Sequence, residues 1–475
     1  MTRSSYLLER AWVGGAVHDD VLVTIEDGRF TAVETGRAPG VVRDSRRLSG
    51  VAMPDNRGFP RSAGETRSVP GLTIPGLANA HSHAFHRALR GRTQRGRGTF
   101  WTWREQMYAV AATLDPDSYH ALARATYREM VAAGITTVGE FHYLHHRPDG
   151  TPYAEPNAMG EALIVAAREA GLRIALLDTC YLSSGFGTAV AGAQVRFSDG
   201  DADAWAERLA GLDALAGLDA PAGRDGVVIG AAVHSVRAVP RDQLATVAAA
   251  AAGRPLHVHL SEQVAENDAC RAAHGRTPTQ LLAEAGLLGP RTTAVHATHL
   301  TDDDVALLGN SRTSACFCPT TERDLGDGIG PSRRLHDAGA PLTLGSDSHA
   351  VIDLFEEMRA VELDERLATR ERGHWTAAAL LAAGTGGHAS LGLDDAGAIE
   401  VGARADLVTL DTRTPRTAGT GDDEHTAVFA ATAADVTQVV VDGRVVVRQG
   451  EQAAAAEENG RDLAAAIEAI WKGMA

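Results

Sequence analysis

Between residues 73 and 350, eight short apolar runs rich in β-branched residues alternate with stretches whose apolar residues fall at helical spacing. This alternation constrains the chain more than any other feature. The runs are Thr73 to His83, Thr136 to Tyr143, Arg173 to Tyr181, Val227 to His234, Pro255 to Ser261, Thr292 to His299, Thr313 to Pro319 and Pro341 to Ser348. Helical spacing marks Tyr119 to Ala133, Asn157 to Ala170, Arg241 to Ala252, Thr277 to Leu288 and Asp302 to Leu308, and Gly134 and Gly171 stand where a left-handed cap would end a helix. Such a pattern fits an α/β fold, either a closed (β/α)8 TIM barrel or an open doubly wound sheet. Polar residues decide between them. His81, His83, His142, Tyr143, His234, His259, His296 and Asp347 all sit at the C-terminal ends of runs. In a barrel these ends converge on one face, whereas in an open sheet the outermost would lie far apart.

The flanks read differently. Short β-like runs surround Asp27-Gly28 and Asp442-Gly443, a hairpin signal, so the N- and C-terminal segments are expected to join into a small β-sandwich domain. The expected division is 1–72 with 394–475 for that domain and 73–393 for the barrel. Asp199 to Arg224 and Arg413 to His425 read as surface insertions, and Asp462 to Trp471 as an amphipathic helix.

A formal net charge of -16 argues against nucleic acid or an anionic membrane as partner. The first twenty residues lack a charged segment leading into a long apolar run, and no membrane-length apolar stretch follows, so a cytoplasmic location is expected. Four cysteines make no disulfide framework; Cys316 and Cys318 alternate along a strand and read as structural thiols. Lys472 is the sole lysine. Schiff-base chemistry, a phosphate loop of the Gly-Lys-Ser type and a carbamate bridge between two metals are therefore excluded from the body of the chain.

His81-Ser-His83 places two imidazoles on one face of a strand, where both can reach one ion. His257-Val-His259-Leu-Ser-Glu262 repeats the alternation and adds a carboxylate; the spacing favours His259 as ligand, with His257 in the barrel interior and Glu262 free to move protons. Asp347 follows an apolar strand and small residues, as a ligand or as a helix N-cap. Neutral imidazoles plus one carboxylate suit zinc or iron(II). His296 and His299 would face opposite ways on a strand, His296 toward a metal-activated water and His299 into loop support.

Pro75-Gly-Leu-Ala-Asn-Ala-His-Ser-His83, His259-Leu-Ser-Glu, His296-Ala-Thr-His and Gly345-Ser-Asp-Ser, in this order, resemble the amidohydrolase superfamily and its mononuclear deaminase branch. The longer strings from His81 to Gly91 and from Phe100 to Tyr108, with Glu140-Phe-His-Tyr143 and Val233-His-Ser-Val-Arg237, resemble the formimidoylglutamate deiminases within it. The likeness spans about 71 to 350, with a further match at Val401-Gly-Ala-Arg-Ala-Asp-Leu-Val. It implies one divalent ion, zinc first, on His81, His83, His259 and Asp347. It implies Glu262 and His296, with Asp347, as catalytic groups, and Arg104, Tyr143, His234 and Arg237 as substrate contacts in a homodimer. At His86 the chain departs from the pattern, which has glutamine; a histidine there can still donate a hydrogen bond to substrate. Two separated arginines suit a small dianionic substrate such as N-formimidoyl-L-glutamate better than a neutral purine or triazine. A heterocycle deaminase and an inactive scaffold of the same fold are the alternatives.

Overall fold

The computed structural model describes residues 3–36, 66–95, 97–215, 226–448 and 450–474. Eight parallel strands form one sheet: β1 (Leu77–Ser82), β2 (Ile135–His142), β3 (Arg173–Cys180), β4 (Val227–Val233), β5 (Leu256–Leu260), β6 (Thr292–His296), β7 (Ser314–Phe317) and β8 (Leu342–Leu344). Neighbours in sequence are neighbours in the sheet. A bridge between Ser82 and Asp347 joins the last strand to the first and closes the barrel. Nearly every strand residue is buried, as expected where helices cover one face and a packed interior fills the other. Gly134 and Gly171 take left-handed φ of 90° and 84° immediately ahead of the next strand segment, as the sequence predicts.

Terminal segments build a separate seven-stranded mixed sheet, ordered Arg444–Val447, Val436–Val441, Leu407–Leu410, Thr66–Pro75, Arg3–Val13, Ala16–Glu26 and Arg29–Glu34. Both expected hairpins are present. Asp27-Gly28 has φ of 49° and 82°, and Asp442-Gly443 has 47° and 73°, the paired positive φ of a tight turn matched to strand twist. The segment 37–65, within the expected terminal domain, lies outside the described residues.

Three expectations need correction. The run from Thr73 to His83 is two strands, because Thr66–Pro75 belongs to the terminal sheet and the barrel begins at Leu77. Gly76 makes the passage: a Cβ there would stand 2.3 Å from Thr136 Oγ1 and 2.8 Å from the Cβ of Asp406. Asp199 to Arg224 is no simple surface insertion, since Ala202–Leu215 is a helix that buries Trp205, Leu209 and Leu212 against the barrel. Its Arg208 binds Asp178 of β3 at 2.7 Å, and residues 216–225 lie outside the described set. The last helix runs over Gln452–Gly473, well beyond Asp462 to Trp471, and Trp471 Nε1 donates to Ala88 O at 2.9 Å. By contrast, 413–425 is mostly exposed and irregular.

Asp406, from the flanking Gly-Ala-Arg-Ala-Asp motif, locks the two sheets together. Its carboxylate accepts from both terminal nitrogens of the buried Arg173 on β3, from Thr136 Oγ1 at 3.2 Å and from the Asp442 amide at 3.0 Å. Both partners are 1 % exposed, so removing one leaves a buried charge short of its main counter-ion. Asp406→Ala should cost about 3 kcal/mol, seen as a lowered denaturant midpoint; a loss below about 0.5 kcal/mol would show that Arg173 is satisfied without it.

Candidate metal centre and adjoining pocket

Barrel closure creates the centre. Asp347 follows β8, and its amide donates to His81 O at 3.0 Å while His83 N donates to Asp347 O at 3.2 Å. Gly345 permits the approach, because a Cβ there would lie 2.8 Å from His81 Cβ and 2.9 Å from Cys318 Sγ. Asn79 pins the seam by hydrogen bonds to Ser346 N at 2.9 Å and Ser346 Oγ at 2.7 Å. His81 and His83 thus meet Asp347 across one strand junction, and His259 comes from the far side of the barrel at the end of β5.

Ligand atoms of His81, His83, His259 and Asp347 all lie within 4.8 Å of one another. The Nε2 atoms of His259 and His81 are 3.1 Å apart and those of His83 and His259 3.3 Å, while Asp347 Oδ1 stands 3.3 Å from His81 Nε2 and 3.4 Å from His83 Nε2. Atoms on a tetrahedron around an ion with bonds of about 2.0–2.1 Å are separated by about 3.3–3.4 Å. Tautomers point the same way. His83 Nδ1 donates to Phe141 O and His259 Nδ1 donates to His234 O, each at 2.9 Å, so both Nε2 atoms turn lone pairs toward each other. Burial, reinforced by the neighbouring imidazoles, lowers both pKa values well below the ordinary histidine range and keeps these rings neutral. Burial alone would raise the Asp347 pKa, but the 3.3 Å approach of His81 and the charge on nearby His296 outweigh it and hold the carboxylate ionised. Facing lone pairs beside a carboxylate, shut away from water, fit a divalent cation.

A pocket adjoins the cluster and is walled by residues from several βα loops. His296, at the end of β6, stands with its Nε2 3.8 Å from both Glu262 Oε1 and Asp347 Oδ2. Burial disfavours its charge, yet Glu262, Glu322 and Asp347 together raise its pKa well above the ordinary value. Glu262 is pushed up to about 7, chiefly by burial. Ser261, His296 and Asp347 all hold left-handed φ (52°, 67° and 39°), backbone that costs about 1–3 kcal/mol per residue and gathers where a site dictates direction.

Every site residue singled out from the sequence is brought to this centre or its pocket. His86 and Tyr143 form a pair, His86 Nε2 to Tyr143 OH at 3.1 Å. Arg104, on the helix Phe100–Thr113, donates to Tyr108 OH and lies 5.5 Å from the Trp101 ring centre. His234 lies 4.5 Å from Tyr181, ring to ring. His257 sits in the barrel interior, its Nε2 3.2 Å from Ser390 O, and His299 Nε2 donates to Asp327 O at 2.8 Å as loop support. All four cysteines are buried and free.

Sequence reasoning missed three acidic residues. Glu322 Oε1 accepts from His296 Nδ1 at 3.4 Å and from Cys318 N at 2.9 Å, fixing the ring from behind. Asp327, bound by Gln263, is raised to about 9 mainly by burial and then by Glu262. Glu266 lines the pocket near Arg237, and burial raises its pKa despite that charge. Each follows a strand-end motif by four to nine residues, on a helix or loop where acidic residues are common, and only the Cys-Pro-Thr-Thr-Glu322 N-terminus carries a positional hint.

The amidohydrolase family profile matches residues 72–446. The chain is 39% identical over 401 residues to the formimidoylglutamate deiminase of Pseudomonas aeruginosa, covering 81% of this chain and 86% of that one. It is 30% identical over 447 residues to a 5-methylthioadenosine/S-adenosylhomocysteine deaminase of Halobacterium salinarum, covering 92% of each. A solved amidohydrolase from Brucella melitensis superposes with a TM-score of 0.83 at 32% identity, covering 99% of this chain and 100% of that one.

Metal analysis of the purified protein should find about one divalent ion per chain, and His259→Ala or Asp347→Ala should reduce it to a small fraction with the fold retained by circular dichroism. Full occupancy in either variant would remove that residue from the ligand set.

Proposed function

The chain belongs to the amidohydrolase family, and from that membership we propose that it hydrolyses N-formimidoyl-L-glutamate to N-formyl-L-glutamate and ammonia. The observation carrying this reading is that Arg104, Arg237, Tyr143, His86 and His234 line one pocket with His259, Glu262, His296 and Asp347. Guanidinium forks match carboxylates, and a substrate with two carboxylates uses two of them. The relative named for formimidoylglutamate is also more similar, 39% against 30%, than the adenosine-type deaminase.

Zinc is the ion proposed for His81, His83, His259 and Asp347, since three imidazole nitrogens and one carboxylate oxygen suit it. When bound, such an ion supplies a Lewis acid that makes water acidic enough to react near neutral pH. The residues do the rest. Arg104 and Arg237 hold the carboxylates, so that the formimidoyl carbon is presented to water at the His/Asp cluster rather than meeting it by diffusion. Asp347, kept ionised, takes the proton that water loses on adding to that carbon, and His296, between Asp347 and Glu262, orients the water and stabilises the charge that moves. Glu262, with a pKa near 7, protonates the imino nitrogen, takes up the proton of the newly added hydroxyl as the carbonyl forms and passes it to the departing amine, so that the carbon–nitrogen bond breaks with ammonia as leaving group; the proton held by Asp347 then restores Glu262 to its acid form. Glu322 holds His296 with its Nε2 toward the pocket.

Ammonia release from formimidoylglutamate, compared with guanine, adenosine derivatives and triazines, tests the substrate. Turnover of a heterocycle alone would defeat the reading. Glu262→Gln should keep the ion yet lose at least about 100-fold in kcat. Glu322→Gln should lose about ten-fold or more, and nothing further in a His296→Asn background, since its effect passes through that ring. Near-normal kcat in Glu262→Gln, or additive losses in the double variant, would contradict these roles.

A further inference from the structure

Arg90-Gly-Arg-Thr-Gln-Arg-Gly-Arg97 places four arginines in eight residues of a chain whose net charge is -16. The segment leaves the short helix Ala84–Leu89, which carries His86, and leads into Phe100–Thr113, which carries Arg104; both helices line the catalytic pocket. Midway along it, Gln94 Nε2 donates to Asp324 Oδ2 at 2.8 Å, next to Leu325, which lines the same pocket. That bond ties the loop to the helix Pro319–Leu325 at the edge of the pocket. Arg90, Arg95 and Arg97 are exposed, and none of them forms an ion pair among the described residues. Arg92 stacks on Trp471, 4.7 Å from its ring centre.

The field of an acidic protein repels a dianion from most of its surface, and local positive charge at the mouth reverses that over about one Debye length. We propose that Arg90, Arg95 and Arg97 form a positive collar that raises the local concentration of a dianionic substrate and discriminates against neutral ones, without touching the bound molecule. This rests on the substrate reading above and adds a role for side chains outside the pocket. A collar acts on encounter and loading, so it changes kcat/KM and leaves kcat alone. Its range shrinks from about 30 Å at 0.01 M salt to about 3 Å at 1 M.

The test replaces all three with glutamine, at exposed positions whose side chains form no ion pair among the described residues, and follows formimidoylglutamate turnover at low and high salt. At about 0.01 M salt kcat/KM should fall about three- to ten-fold with kcat unchanged, and the gap to the unsubstituted protein should close near 1 M. Equal kcat/KM at low salt would overturn the collar. A gap that persists at high salt would overturn it too, because it would signal direct contact or altered packing. Failure of the unsubstituted protein to turn over formimidoylglutamate is a separate outcome: it defeats the substrate reading first and this inference with it.

Discussion

Two neutral imidazoles whose lone pairs face each other across 3.3 Å, with a third and a carboxylate alongside, make an arrangement that a protein interior does not sustain unaided. Hydrogen bonds behind the rings set it up: Phe141 O fixes one tautomer and His234 O another. Those carbonyls lie at the ends of β2 and β4, so each ring is aimed by the strand beside it. A bound cation would turn the lone-pair repulsion into coordination, and the barrel's rigidity would then be an asset instead of a source of strain.

The closing seam of the barrel is also the seam of the site. Asn79, Gly345 and the bridge from Ser82 to Asp347 complete the sheet and bring the first and last strands' ligands together. At the opposite end, Arg173 and Asp406 join the barrel to the terminal sheet through a buried pair. The catalytic end holds strained backbone and closely grouped ionisable side chains, while the other holds a single buried ion pair. That division follows from what each end does.

Much of this was legible in the sequence, for physical reasons. Alternation along a strand puts His81 with His83, and the C-terminal end of each barrel strand faces one mouth, so the cluster could be assembled from residues more than 250 positions apart. Asp-Gly turns predicted the hairpins because few residues accept two successive positive φ values. Less visible were features set by tertiary contact. Nothing local shows that the run at Thr73 must break at Gly76, where Thr136 and Asp406 leave no room for a side chain. Ala202–Leu215 hid its helix in a composition of Ala, Gly and Asp, and its anchor, Arg208, gains meaning only from Asp178 and Asp199. Glu322 and Asp327 matter because they are buried beside His296 and Glu262, a property of the folded chain alone.

The claim on which the account turns is that three imidazoles and one aspartate hold a single ion. X-ray absorption at the zinc edge of the purified protein tests it directly. The account predicts a nitrogen and oxygen shell at about 2.0–2.1 Å with imidazole scattering behind it and no sulfur. A shell containing sulfur at about 2.3 Å, or protein that takes up no ion when zinc is supplied, would contradict it.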